Sequence, residues 1–413
     1  MKILLLTQYF PPEFGAAAAR NSEHALYWAQ SGHEVEVLTG FPNYPEGVIP
    51  PGYSGRYFVR EECGGYTLAR TWIYATPNRG ILQRALASFS FLLSATIAGV
   101  LRCGRPDVII ASSGPFFMGP LGWLLSRLKG VPFALEVRDI LPQQAVDTGM
   151  LRNPVLIQIL EAIEAFLYRH ARRVICVAEA SRQSIIERGF DADKFFTIEN
   201  GIREDLFVPG EKENAFRQEF GWEGRFVALY AGAHGVSQGL ATLLDVAERL
   251  KDDPRFQLVF AGEGAEKPAL IAEAESRGLR NVTFLPPQGK SRMPALYAAA
   301  DVCFAPLRRG AYFTLNIPSK IFEIMACARP IILGADGQAR RLVEEAQAGI
   351  AVAPEDADAF VRAVHELRDA PERAKVMGES GRRYVIEHFT RQGQAARYIE
   401  ILEAMQQSEA PRN

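Results

Sequence analysis

Apolar residues in this chain fall into short, nearly unbroken runs separated by longer stretches in which they recur every three or four positions. Lys2 to Thr7, Glu34 to Leu38, Val108 to Ala111, Phe133 to Val137, Arg173 to Val177 and Phe195 to Ile198 read as strands. Ala17 to Ser31, Leu82 to Arg102, Met118 to Leu128, Pro154 to Tyr168 and Ala180 to Glu187 read as the helices between them. Strands apolar on both faces and alternating with amphipathic helices predict a parallel sheet covered on both sides.

A polar break from Asn200 to Asn214 interrupts the pattern, and then it restarts. Further strands are expected at Phe226 to Tyr230, Gln257 to Ala261, Val282 to Leu285, Val302 to Pro306 and Pro330 to Leu333, and a last helix at Gln392 to Met405. The expected fold is therefore α/β, with two doubly wound Rossmann-like domains facing each other across a cleft. Residues 1–203 form the first, residues 204–390 the second, and residues 391–413 carry a helix that packs back on the first domain, with a frayed tail from Ser408. Ligands of such sheets sit outside the carboxyl ends of the strands.

Composition narrows the class. A chain of 413 residues exceeds one ordinary core. The net charge of -2 argues against nucleic acid as the main partner. Cys63, Cys103, Cys176, Cys303 and Cys327 are scattered without metal-ligand spacing, as in a reduced, cytoplasmic protein. Met1 to Leu6 is too short for a signal peptide and reads as a buried strand. Charge is uneven: between Cys63 and Leu135 the sole acidic residue is Asp107, against Arg70, Arg79, Arg84, Arg102, Arg105, Arg127 and Lys129. Trp72, Tyr74, Phe89, Phe91, Phe116, Phe117 and Trp123 are interleaved with them. That mixture suits an anionic bilayer surface, and equally a core helix with an arginine rim. Ile81 to Leu101 is marginal as a membrane span.

The most informative chemistry lies at Pro318-Ser319-Lys320-Ile321-Phe322-Glu323. A Pro-Ser cap opens a helix that places Lys320 and Glu323 on one face. A helix N-terminus after a parallel strand gathers phosphate, and a carboxylate one turn on can accept ribose hydroxyls. Phe322, not a Glu, stands three residues after Ser319, so Glu323 is not a capping-box residue. Tyr230 to Gly239 runs from a strand into a loop with three glycines, where Gly235 lets backbone N–H groups approach a ligand and a protonated His234 would face phosphate. Gly15 follows the first strand in the same manner. Lys290 is a further cation in the second half. Arg138 and Asp139 end a strand, and Asp139 is placed to orient or deprotonate an acceptor hydroxyl. Asp191 with Asp193, and Asp356 with Asp358, mimic a metal motif but lie in a turn and a helix cap, so no metal is expected.

In their order, the Gln8 to Gly15 opening, Gly32 to Val35, Pro106 to Ile109, Val137-Arg138-Asp139, Gly232 to Gly239, Pro318 to Met325 and Gly334 to Gly349 resemble a retaining glycosyltransferase of the family-four type with the GT-B fold, over nearly the whole chain. More narrowly the chain resembles the WbuB-like branch, which adds amino-deoxy sugars such as fucosamine to lipid-linked saccharides in O-antigen or capsule assembly. The resemblance implies a nucleoside-diphosphate sugar donor, UDP-linked, a polyprenyl-linked saccharide acceptor, no cofactor, and a peripheral place on the inner face of a bacterial membrane. The resemblance implies that Glu323 binds ribose; the residues themselves point to Gly15, Gly235, Lys290, Ser319 and Lys320 as further donor-binding groups, to Arg138 and Asp139 for the acceptor, and to Asp139, Lys320 and His234 for catalysis.

Two departures sharpen this. The family pairs two Glu eight positions apart; Glu323 matches the second, but Leu315 occupies the first and cannot hydrogen-bond a sugar. The family's basic pair after the first strand of the second domain is also missing, with Gln238 near the expected Lys. Two other readings share these features: a nucleotide-sugar 2-epimerase of the same fold, and a catalytically degenerate donor-binding partner protein.

Overall fold

The computed structural model describes the chain except Phe14, residues 44–45, 77–80 and 148, and residues 408–413. The expected frayed tail and Arg79 lie outside the described residues, as does the side chain of Arg84. The chain divides into two compact units, Met1–Asn200 with Arg391–Asn413, and Gly201–Thr390.

Unit 1 holds strands β1 (Lys2–Leu6), β2 (Glu34–Gly40), β3 (Phe58–Cys63), β4 (Tyr66–Thr71), β5 (Val108–Ser112), β6 (Phe133–Val137), β7 (Arg173–Cys176) and β8 (Phe195–Thr197). Their order is β3-β4-β2-β1-β5-β6-β7-β8. β1, β5 and β6 are buried along almost their full length, as unbroken apolar runs require. Helices α1 (Ala16–Gln30), α2 (Ile81–Leu101), α3 (Met118–Lys129), α4 (Gln143–Asp147), α5 (Pro154–His170) and α6 (Glu179–Glu187) complete it.

The β3–β4 hairpin is absent from the sequence-based expectation, and it makes the sheet mixed, because β3 pairs antiparallel with β4. Its turn is Gly64-Gly65, both at positive φ, 55° and 96°. A two-glycine loop between β-forming runs is a recognisable hairpin signal. β3 is an edge strand with only half-buried and exposed positions, so its Arg60, Glu61 and Glu62 break the apolar run that marked the other strands.

Unit 2 holds β9 (Phe226–Ala231), β10 (Phe256–Ala261), β11 (Val282–Leu285), β12 (Val302–Pro306), β13 (Ile331–Gly334) and β14 (Gly349–Val352), ordered β11-β10-β9-β12-β13-β14 and all parallel. Its helices are α7 (Ala215–Phe220), α8 (Ala241–Arg249), α9 (Lys267–Ser276), α10 (Met293–Ala299), α11 (Lys320–Ala326), α12 (Gln338–Glu345), α13 (Ala357–Asp369) and α14 (Pro371–His388). Leu243, Leu258, Phe304 and Phe360 are among its core side chains.

α15 (Arg391–Gln407) belongs to unit 1 and packs on α1. The Trp28 indole N–H donates to the Ala395 carbonyl at 3.1 Å, Arg391 pairs with Glu23 at 2.7 Å, and the rings of His24, Trp28 and Tyr398 meet edge to face or tilted. Among the described residues no helix is long and apolar enough to cross a membrane.

Candidate active site

In each sheet the strand order reverses direction at one point, between β1 and β5 in unit 1 and between β9 and β12 in unit 2. Residues just past the carboxyl ends of those strands line the natural ligand crevice of such a sheet.

In unit 2, β9 runs into Gly232, whose φ of 141° only glycine adopts readily. A Cβ there would lie 3.0 Å from the Lys320 Nζ, so the missing side chain makes room for the ammonium. Lys320 opens α11, with its Nζ 3.0 Å from the Gln238 Oε1 and 3.8 Å from the centre of the Tyr230 ring. The Tyr230 hydroxyl donates to the Ala233 carbonyl at 2.6 Å and approaches the same Gln238 oxygen at 3.2 Å. Lys320 as a whole is half-buried, and its ammonium lies against the Tyr230 ring, the Gln238 amide and the Gly232 backbone. That enclosure pulls the Lys320 pKa down from 10.5 to about 7; the nearby Glu323 charge opposes the shift. One turn along α11, the Glu323 Oε2 accepts from the buried Tyr297 hydroxyl at 2.9 Å, which fixes the carboxylate's direction.

Several expected features differ. Ser319 stands at the N-cap in helical conformation and its hydroxyl makes no capping bond. The first turn closes on itself, with the N–H groups of Ile321 and Phe322 donating to the Pro318 and Ser319 carbonyls at 3.0 and 3.2 Å. The positive charge here is therefore chiefly the Lys320 ammonium. Gly235 has φ -112°, so its backbone does not need glycine, although a Cβ there would meet open space. His234 is fully buried between Tyr230 and Phe260, at 5.6 and 6.0 Å between ring centres. Burial first, then repulsion from Lys267 and Lys320, lowers its pKa to about 4, and neither ring nitrogen has a hydrogen-bond partner of good geometry. His234 is thus neutral at physiological pH, the reverse of the protonated state expected from its loop position. Lys290 stands exposed in the loop after the edge strand β11.

Sequence reasoning missed the second glycine loop, Gly262-Glu263-Gly264, which follows β10 and lies on the first. The His234 N–H donates to the Glu263 carbonyl at 2.8 Å, and a Cβ on Gly262 would sit 2.0 Å from the Gly232 carbonyl oxygen. A Gly-x-Gly directly after an apolar strand was the available signal. Gly262→Ala should destabilise unit 2 by about 1–3 kcal/mol through forced overlap, seen as a lowered urea midpoint at constant slope. Arg308, just past β12, was also passed over; its N–H donates to the Ser237 carbonyl at 3.0 Å.

In unit 1, Gly15 is the N-cap of α1 at φ 126°, with open space where a Cβ would point. Asp139 follows β6 and its Oδ1 accepts from the Gln144 amide at 3.1 Å. Arg138, expected to meet the acceptor, is mostly buried. Its guanidinium turns inward to 3.8 Å from Glu136, and its backbone N–H donates to the Ser113 hydroxyl at 3.2 Å. Glu136 is the centre of this region. It is fully buried and accepts from Arg20 Nε at 3.0 Å and from the Ser112 hydroxyl at 2.8 Å. Burial alone would raise its pKa, but Arg20, Arg138 and the two hydrogen bonds outweigh burial and hold it below the ordinary value. Arg20 also donates to the carbonyls of Ile198 and Glu199, at 2.8 and 2.7 Å.

The acidic pairs that imitate a metal motif are local caps: Asp191 accepts from the Asp193 N–H and Asp356 from the Ala359 N–H, at 3.1 and 2.9 Å.

Two doubly wound Rossmann-like domains, with polar groups gathered past the strand ends, make up the GT-B class of fold. Within that class, the chain carries a glycosyl transferase 4-like domain over residues 15–201 and a glycosyl transferases group 1 domain over residues 212–384. Its sequence is 29% identical over 395 residues to the putative colanic acid biosynthesis glycosyl transferase WcaI of Escherichia coli, spanning 93% of this chain and 96% of that one. The fold is similar to sucrose-phosphate synthase from Thermosynechococcus elongatus, with a TM-score of 0.77, 19% identity and coverage of 99% and 100% of the two chains. It is similar also to Anabaena HepE in complex with UDP and glucose, with a TM-score of 0.75, 18% identity and coverage of 98% and 99%.

Proposed function

We propose that this protein moves a sugar, with retention at the anomeric carbon, from a UDP-linked donor to a lipid-linked saccharide in the assembly of a bacterial surface polysaccharide, working on the inner face of the membrane. The observation that carries the reading is the Lys320 ammonium, enclosed by Gly232, Tyr230 and Gln238 at the carboxyl ends of the unit 2 strands, one turn from a Glu323 oriented by Tyr297. The fold likeness to a UDP-bound enzyme supports the choice of base, and the WcaI likeness supports a surface polysaccharide. The narrower assignment is an amino-deoxy sugar of the fucosamine kind.

In this mechanism the bond from the anomeric carbon to the β-phosphate oxygen breaks as the acceptor oxygen bonds to the same carbon. The acceptor proton passes to the departing phosphate oxygen on the same face. Negative charge grows on the diphosphate, and Lys320 stabilises it in a site from which bulk water is excluded. Glu323 accepts the ribose hydroxyls. Asp139, steadied by Gln144, orients the acceptor hydroxyl. Gly15, Gly235 and Ser319 contribute backbone N–H groups, and Lys290 adds charge on the donor side. His234 acts as a neutral packing residue under the glycine loop and not as a cation. The reaction needs no metal, so EDTA should leave the rate unchanged.

Because Lys320 has a depressed pKa, UDP binding to the unliganded protein should weaken as pH rises through about 7, where the ammonium is lost. At pH 8 UDP should bind with proton uptake, measurable by calorimetry in buffers of different ionisation heat. For the empty fold the sign is opposite: the unfolded chain keeps this proton up to pH 10.5, so stability rises with pH from about 7.

Thermal stabilisation against a panel of nucleotides and nucleotide-sugars tests the donor first. Stabilisation by a purine diphosphate and not by UDP would overturn the base assignment. Donor incubated with a membrane lipid extract should then yield an α-linked product from an α-linked donor. Donor incubated alone should stay intact; a changed sugar would indicate an epimerase.

A further inference from the structure

α2 has its amphipathic character turned inside out. Its buried face is built from Ala87, Ala95, Ala98 and Gly99 around one large residue, Phe91. A Cβ on Gly99 would come within 2.8 Å of the Leu125 side chain, so the small residues let α2 lie close on α3. The large apolar residues face outward, with Leu86, Phe89, Leu93, Ile97 and Leu101 between 48% and 72% exposed. They recur every three or four positions, forming one stripe along the helix. A contiguous apolar face of this length on a water-soluble surface marks a binding site.

The stripe is one wall of a groove of about 840 Å³, whose other wall includes Tyr57, Trp72 and Tyr74 beside the β3–β4 hairpin. The groove's serines are already engaged: the Ser90 hydroxyl accepts from the Tyr74 N–H at 2.8 Å, and the Ser94 hydroxyl donates to the Trp72 carbonyl. Arg102 alone is charged among the described lining residues, and its guanidinium lies over the Phe58 ring at 5.9 Å. Such a groove offers little to an acidic peptide or a phosphate and much to a hydrocarbon.

A second apolar cavity, of about 470 Å³, adjoins the first turns of α2 through Ala85, Ala87 and Ser88. It reaches the carboxyl ends of β1, β5 and β6 through Tyr9, Phe117 and Leu141, and no charged residue lines it among those described. Phe89 of the outer groove and Phe117 of this inner cavity touch edge to face at 6.3 Å. The apolar surface therefore runs from the outer groove past this aromatic pair to the strand ends that carry Asp139.

We infer that the α2 groove holds the hydrocarbon chain of the lipid-linked acceptor, which passes the Phe89–Phe117 pair and delivers its head group toward the end of β6. This rests on the acceptor being lipid-linked, as proposed above. The continuity of the groove with the strand ends favours a chain tethered to the substrate over a helix of another protein or the bilayer as a whole.

Geranylgeranyl monophosphate, used below its micelle concentration, tests the groove without any assumption about the acceptor sugar. It should bind saturably, with one site, and alter the emission of Trp72; Trp72→Phe should remove much of that signal. Inorganic phosphate should do neither. Leu93→Trp with Ile97→Trp fills the groove while keeping the face apolar. This variant should bind the prenyl phosphate at least about tenfold more weakly, yet float with anionic vesicles as well as the native protein does. Equal prenyl binding by the filled variant would overturn the proposal, as would binding to vesicles alone. A native protein that binds the prenyl phosphate but glycosylates no lipid-linked acceptor would instead overturn the proposed function.

Discussion

Lys320→Met should lower kcat/KM for the nucleotide-sugar by about 10²–10³-fold and leave the melting temperature unchanged or higher. The two effects have one cause. Enclosing an ammonium between a ring and an amide costs the empty fold, which is why its pKa sits near 7. Methionine fills the same space without charge, so the empty fold gains what the liganded state loses. A lysine kept only for packing would give the opposite pattern, with lowered stability and undiminished turnover. Turnover measured at saturating acceptor, alongside a thermal melt of the same preparation, separates the two. Glu323→Ala provides the companion test: it should raise KM for the donor more than it lowers kcat, because ribose is held equally in the ground and transition states. Full activity in both variants would refute the site.

Arg20→Met should be among the most destabilising single substitutions in the chain, at about 3–5 kcal/mol. The residue is fully buried, and its removal takes a donor from four groups: the Glu136 carboxylate, the carbonyls of Ile198 and Glu199, and the Asn200 side-chain oxygen. A buried carboxylate that loses its closest cation, keeping only the Ser112 hydroxyl and the more distant Arg138, protonates more readily or draws in water. The loss should therefore shrink at low pH, where Glu136 is neutral in either protein. Adding Glu136→Gln to Arg20→Met should recover part of the stability, because the orphaned charge is gone while the carbonyls still lack a donor. Urea denaturation of the four proteins in this cycle measures the coupling. Additive losses would mean that the pair does not act as a unit.

The contrast between these two sites shows what the sequence could reveal. The central parallel strands were readable because they are buried on both faces and so nearly uniform in hydrophobicity, whereas β14, half-buried at three of its four residues, and β4 were not read. Lys320 and Glu323 were readable because one helical turn relates them. The Glu136 cluster was not, since Arg20 and Glu136 are 116 residues apart and an arginine after Ala16-Ala17-Ala18-Ala19 looks like the solvent face of a helix. The β3 strand was hidden because an edge position tolerates charged residues that an interior strand excludes. His234 misled for a different reason. A loop histidine beside glycines suggests contact with anions, but the Gly262-Glu263-Gly264 loop covers this one, and burial decides its charge. Burial created by contacts remote in sequence is common to the Glu136 cluster and His234. Gln238, in contrast, was noted only as standing near an expected cation, and it meets Lys320 directly.

The attachment of α15 to unit 1 has a consequence for synthesis of the chain. Unit 2 is one uninterrupted segment, Gly201–Thr390, whereas unit 1 is discontinuous and takes α15 from beyond it. On the ribosome, the sheet of unit 1 emerges early but waits some 190 residues for the helix that covers Trp28 and His24. At about 5–20 residues per second that is an interval of roughly ten to forty seconds. During that interval an apolar face of α1 is open to chaperones and to other nascent chains. A chain truncated after Thr390 and released should therefore carry a finished second domain and a chaperone-dependent first one.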